Sequence, residues 1–244
     1  MKRYLIPSAI LLALAVPVAA SGKIVDLGAG DPYLPTSKCP NDPCLAAYQM
    51  TGYQDTSQGK RNPYTVRRDG RIVAFTVKLG KLAQVQIDAF DSRIGSPAAV
   101  RLSVLRRGKK KSRRNEHRLL AQSGVFEIDD YFGSSPTFVL DEPLSVERGN
   151  VIAITVPTWA PLLAPEDDAL WRSSRPKGKC LTTATKLAPD SAMERVGRKT
   201  TWGCNYENER LLYTATLIPE NRKTKPAADP PAAASASVTL GALR

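Results

Sequence analysis

Between Arg71 and Leu105 apolar and polar side chains alternate. That alternation limits the chain to a sheet with one dry face and one wet face. Val73, Phe75, Val77 and Leu79 fall on one side of a first run. Val85, Ile87 and Ala89 share a side of a second, with Gln84, Gln86 and Asp88 opposite. In a third, Val100, Leu102 and Val104 alternate with Arg101 and Ser103. A period of two marks half-buried strands. The pattern predicts consecutive strands over residues 71–79, 83–90 and 99–105.

Further short strands are expected at 47–53, 65–66, 119–123, 125–128, 137–140, 151–156 and 211–218. In the run 151–156 both faces are apolar: Val151 and Ala153 on one, Ile152, Ile154 and Val156 on the other. That favours a central position. Many short strands, frequent turn signals and no clear amphipathic helix describe a sandwich or barrel. The expectation is an all-β fold, a single antiparallel β-sandwich of jelly-roll type spanning 47–218. From 157 to about 200 prolines and tryptophans break the rhythm, so a long irregular loop is expected before the last strands.

The ends read differently. Lys2 and Arg3, a short apolar stretch and Val18-Ala19-Ala20 have the layout of a signal peptide over 1–20. The apolar stretch is short for a membrane span, so no transmembrane anchor is expected. Residues 21–46 read as a proline-rich loop. Residues 219–244, rich in Pro, Ala, Ser and Lys, read as a disordered tail. Export places the four cysteines, Cys39, Cys44, Cys180 and Cys204, in an oxidising compartment. Three pairings are open. Short-loop closure favours Cys39–Cys44, which leaves Cys180–Cys204. A four-cysteine zinc site fits poorly, because neither spacing is a C-x-x-C knuckle.

The chain resembles the secreted, jelly-roll-like β-sandwich proteins of GC-rich soil actinobacteria. The likeness rests on the Cys39-to-Cys44 loop, Thr51-Gly52-Tyr53, Asn62-Pro63-Tyr64, the run Asp69 to Phe75 and the run Val100 to Leu105. It implies a fold and an extracellular compartment. It brings no activity, no cofactor and no catalytic residue.

Charge is the strongest functional cue. The formal balance is +12, which favours anionic surroundings. Lys109, Lys110, Lys111, Arg113 and Arg114 crowd one segment, flanked by Arg106, Arg107 and Arg118. The segment reads as a solvated hairpin tip able to hold a polyanion through counterion release. No aromatic residue interleaves it, which argues against nucleic acid as a specific partner. Trp159, Trp171 and Trp202, with Tyr206, are candidates for stacking on a glycan.

Catalytic readings are thinner. Glu127 and Asp129 share a face if 125–128 continues as a strand. They then resemble part of the Glu-x-Asp-x-x-Glu strand of laminarinase-type glycoside hydrolases. Retaining hydrolysis needs two carboxyls about 5 Å apart, and here Tyr131 and Phe132 stand where the third acid belongs. His117, the lone histidine, lies in the basic segment and is expected to be a solvent-screened bystander. Glu166, Asp167 and Asp168 offer hard oxygen ligands for calcium. Three readings remain: a binding module for a glycan or anionic wall polymer, a jelly-roll hydrolase using Glu127 and Asp129, and a structural extracellular protein without a small ligand.

Overall fold

Two antiparallel sheets face each other in the computed structural model, which describes residues 23–29, 35–39, 44–180 and 190–220. The expected signal peptide and residues 221–244 of the expected tail lie outside the described residues. The smaller sheet has the order β1 (Val25–Leu27), β13 (Tyr213–Pro219), β4 (Gly70–Val77), β8 (Thr137–Val146). The path of the larger runs β11 (Lys199–Thr201), β6 (Glu116–Gln122), β5 (Ala99–Arg107), β9 (Asn150–Ala160), β2 (Ala47–Ser57), β10 (Leu163–Ser173), β12 (Cys204–Leu211). Short β3 (Lys60–Arg61) and β7 (Phe126–Glu127) add to β2 and β5.

Eight strands, β1, β2, β4, β5, β6, β8, β9 and β13, carry the frame. Renumbered in chain order from one to eight, they fall as 1-8-3-6 in one sheet and 2-7-4-5 in the other. This is jelly-roll order, two Greek keys folded over each other. The β10 and β12 pair enters between the seventh and eighth of these strands and extends the larger sheet beyond β2. As its two apolar faces predict, β9 is central, between β5 and β2.

The core between the sheets follows the expected alternation except at Val73, which is half-buried while Ile72 is fully buried, because the pairing of β4 with β8 shifts register between Ile72 and Ala74. Phe75 and Val77 of β4 are fully buried, as are Val100, Leu102 and Val104 of β5 and Ile152, Ile154 and Val156 of β9. Phe75 meets Phe126 edge-on and lies beside Phe138, each with centroids 5.3 Å apart. Tyr213 stacks on Tyr64 at 4.3 Å and donates its hydroxyl to the Ile152 carbonyl at 3.1 Å.

Three expectations need correcting. Residues 83–90 form no strand: the chain makes helix α1 (Gln84–Ile94), the connection from β4 to β5. The Val85, Ile87, Ala89 alternation is incidental. Ile87, Phe90 and Ile94, spaced by three and four, are the residues that pack on the core. Gln86 Oε1 accepts the Ala83 amide at 3.0 Å, satisfying a helix-start donor. The stretch 21–46 is not all loop, because β1 pairs with β13, Val25 opposite Leu217. The irregular region also begins later than predicted. β9 runs through Pro157 to Ala160, and β10 follows after Pro161-Leu162. Beyond Thr155 the pairing of β9 is with β2 alone, and it shifts register beside Gln49, at φ 40°. Pro157 therefore interrupts no ladder on its other side.

Both expected disulfides are present, Cys39–Cys44 and Cys180–Cys204.

Candidate functional site

The basic segment is a hairpin tip, as predicted. β5 and β6 pair from Ser103 opposite Gln122 to Arg107 opposite His117, and a single 3-10 turn, Lys111–Arg113, caps the hairpin. Lys109, Lys110, Lys111, Arg113 and Arg114 are all exposed. Sequence reading missed what lies beside them. β11 pairs with β6 so that Lys199 stands opposite Arg118, and Arg118 also stands opposite Arg106 on β5. Three cations thus cross three adjacent strands in a row. The Leu119 amide donates to the Arg198 carbonyl at 3.1 Å, which ties Arg198 to β6 and extends the positive edge away from the tip. The clue was the cluster Arg195, Arg198, Lys199, about eighty residues downstream and joined only by the pairing of β11 with β6.

Few of these charges are balanced. Arg106 meets Glu147 at 2.7 Å, and Arg113 meets Glu116 at 3.8 Å. Lys109, Lys110, Lys111, Arg114, Arg118, Arg195, Arg198 and Lys199 make no ion pair among the described residues. Like charges directly opposite on a sheet repel. The row therefore costs stability unless salt or an anion compensates it.

A groove of about 840 Å³ opens beside this edge. Arg195, Arg198 and Lys199 line it together with Asp190, Glu194 and Thr200. Asp190 Oδ1 accepts the Ala192 amide at 2.8 Å. The Thr200 hydroxyl is buried without a hydrogen-bond partner among the described residues.

Under the groove, the face of the larger sheet turned away from the sandwich core is covered by the segment around Met193. The Met193 amide donates to Thr51 Oγ1 at 2.9 Å, and its carbonyl accepts from Gln122 Nε2 at 2.6 Å. Thr155 Oγ1 sits between Thr51 Oγ1 at 2.8 Å and Ser103 Oγ at 2.6 Å. Further along this face lies His117. It is fully buried, not screened by solvent as expected, and stacks on Trp202 at 4.1 Å. Its Nδ1–H donates to the Asn115 carbonyl at 3.1 Å, so Nε2 is left to accept the Tyr53 hydroxyl at 3.0 Å. Burial pushes the imidazole down to about 3, and Arg107 and Arg172 push the same way against the Asn115 carbonyl. Burial lifts the Tyr53 phenol to about 12, which keeps it a donor. Asp55 separates those two arginines, 3.7 Å from Arg107 Nη1 and 3.3 Å from Arg172 Nε.

The tryptophans are pillars, not a sugar platform. Trp159, Trp171 and Trp202 are 0%, 4% and 2% exposed, so none presents a ring face to solvent. Trp159 stacks between Phe90 and Phe132 and donates to Asp91 Oδ1 at 2.9 Å. Trp171 stacks on Tyr206 at 4.1 Å. The burial follows from position: each sits on or beside a strand with its ring directed into packed layers, where a large aromatic gains most.

Glu127 and Asp129 do not share a strand face. β7 ends at Glu127, Ile128 is buried, and Asp129 opens a 3-10 turn running to Tyr131. Burial, with Asp91 and Glu127 adding, holds the Asp129 carboxyl above its ordinary range, against the pull of the Ala98 amide. The alternation needed for two facing carboxyls stops two residues early, at Glu127. Calcium has no better footing. Glu166 is bound on both oxygens, to Ser57 Oγ at 2.5 Å and Arg210 Nη1 at 2.9 Å. Asp167 and Asp168 are exposed within β10, at the point where its register shifts. Among the described residues no three His, Cys, Asp or Glu side chains are placed to hold a metal ion.

Among the described residues no helix is long and apolar enough to cross a membrane. No protein-family model, no curated protein and no solved structure matches this chain.

Proposed function

We propose that the protein is a non-catalytic binding module that holds an anionic polymer along its hairpin tip and the adjoining β6–β11 edge. The observation that carries this reading is the row Arg106, Arg118, Lys199 continuing into the exposed tip, with most of its charges unpaired among the described residues. Opposed cations destabilise the folded chain, and a polyanion that displaces salt from them relieves the repulsion. The two disulfides support work in an oxidising space outside the cytoplasm. An anionic wall polymer is a partner of the right charge there.

The test is retention on an immobilised polyanion at stepped salt. Affinity falls steeply with salt in the wild type. Replacing Lys109, Lys110, Lys111, Arg113 and Arg114 with alanine flattens the slope of log K against log salt, because that slope counts displaced counterions. An unchanged slope overturns the proposal. A second reading, a structural extracellular protein with no small ligand, is favoured by the burial of all three tryptophans. It takes over if no polyanion is retained at low salt.

A further inference from the structure

The groove beside β11 contains a contradiction that points to its occupant. It opens onto the positive edge through Arg198 and Lys199, yet its wall carries two carboxylates, Asp190 and Glu194. Glu194 acts on Arg101 and Asp190 on Arg175 only through space, and neither acid makes a direct ion pair among the described residues. For a polyanion with nothing but charge to offer, both acids are repulsive and misplaced. For a polymer that carries hydroxyls between its anionic groups, they are the right acceptors. An ionised carboxylate only accepts hydrogen bonds, and a sugar hydroxyl donates them. Arg195, Arg198 and Lys199 would meanwhile face the anionic substituents. A volume of about 840 Å³ lies within the usual range for small-ligand sites, so one or more sugar units have room.

We infer that this groove is the specificity-determining subsite of the module and takes a unit of an anionic polysaccharide, with Asp190 and Glu194 receiving its hydroxyls and Arg195, Arg198 and Lys199 its charge. The inference rests on the polyanion reading above and narrows it from any polyanion to a hydroxylated one.

Two probes with the same anionic group separate charge from hydroxyls: polygalacturonate, a carboxylated polysaccharide, and polyacrylate, a carboxylated chain without hydroxyls. The full chain is compared with a double variant, Asp190→Asn and Glu194→Gln. Both substitutions keep size, and the side-chain carbonyl that Asp190→Asn leaves in place can still accept the Ala192 amide. Removing two negative charges strengthens polyacrylate binding, whereas losing two charged acceptors weakens polygalacturonate binding by about tenfold or more. Affinities moving in opposite directions support the inference. Affinities moving the same way, or not moving, overturn it and leave the general polyanion reading standing. Absence of salt-sensitive binding to both polymers in the wild type overturns both. The variant's thermal midpoint, unchanged from wild type, excludes misfolding as the cause.

Discussion

The two faces of the larger sheet are built on different physics. The face toward the smaller sheet is aliphatic: Val100, Leu102, Val104, Ile152 and Ile154 fill it, with Phe75 opposing them from β4. The other face is a polar and aromatic layer. There Thr51, Thr155, Ser103 and Gln122 form a chain of hydrogen bonds to the Met193 backbone, and Tyr53, His117 and Trp202 pack together. The first face depends on shape and area removed from water. The second depends on hydrogen bonds between its polar groups, because an unmet buried partner costs about 1–3 kcal/mol. One face sets the fold. The other fixes residues 190–202 against the sheet and so shapes the groove.

The largest effect expected from this contrast is on the aliphatic side. Phe75→Ala should lower unfolding free energy by about 3–5 kcal/mol in urea titration, from lost burial plus the cavity left behind. A loss under about 1 kcal/mol, the size of an ordinary substitution, would mean the core repacks freely, against the contacts Phe75 makes with Phe126 and Phe138. The staple of the polar face comes next. Cys180 and Cys204 are 24 residues apart, and replacing both with serine should cost about 3 kcal/mol on the chain-entropy model. The same variant should weaken binding to polygalacturonate while leaving the slope set by the hairpin tip unchanged.

The third effect is pH, and on the polar face His117 carries it. The His117 pKa is about 3 in the folded protein against about 6.5 in an unfolded chain. Between these values the unfolded chain binds the proton and the folded one does not. The stabilisation is complete above a pH of about 6.5 and is lost as pH falls toward about 3, at about 1.4 kcal/mol per pH unit inside that window. Denaturation measured across that range should show this slope, and His117→Gln should flatten it. An equal slope in the variant would place the acid sensitivity elsewhere.

The same contrast explains what the sequence disclosed. Alternation in β5 and in the second half of β4 reported the aliphatic face directly, because the inward residues there are apolar, whereas the register shift between Ile72 and Ala74 left no sign in the pattern. It misled at 83–90, where a short alternation overlay the helical spacing of Ile87, Phe90 and Ile94. The polar face was nearly silent. Thr51, Ser103 and Thr155 look like solvent-facing residues in one dimension, and they are buried only because residues 190–202 return over them. For the same reason His117, with cations for sequence neighbours, read as exposed. The tip was legible as a run of like charges. Its extension through Lys199 and Arg198 was not, since strand pairing between distant segments leaves no local trace.

The larger sheet is also unusual at its rims. Its first and last members, β11 and β12, are separated in the chain by Trp202 and Gly203 alone. The Tyr53 hydroxyl of β2 reaches His117 of β6 although β5 and β9 lie between them. The sheet is therefore rolled until its two borders nearly meet. Exposed borders are where foreign strands add and aggregates begin. The smaller sheet retains an open border at β8, which carries Pro143 and exposed Asp141 and Glu142, residues that discourage a newcomer from pairing. Such a molecule should stay monodisperse when concentrated on a crowded, charged scaffold, where neighbouring copies are pressed edge to edge.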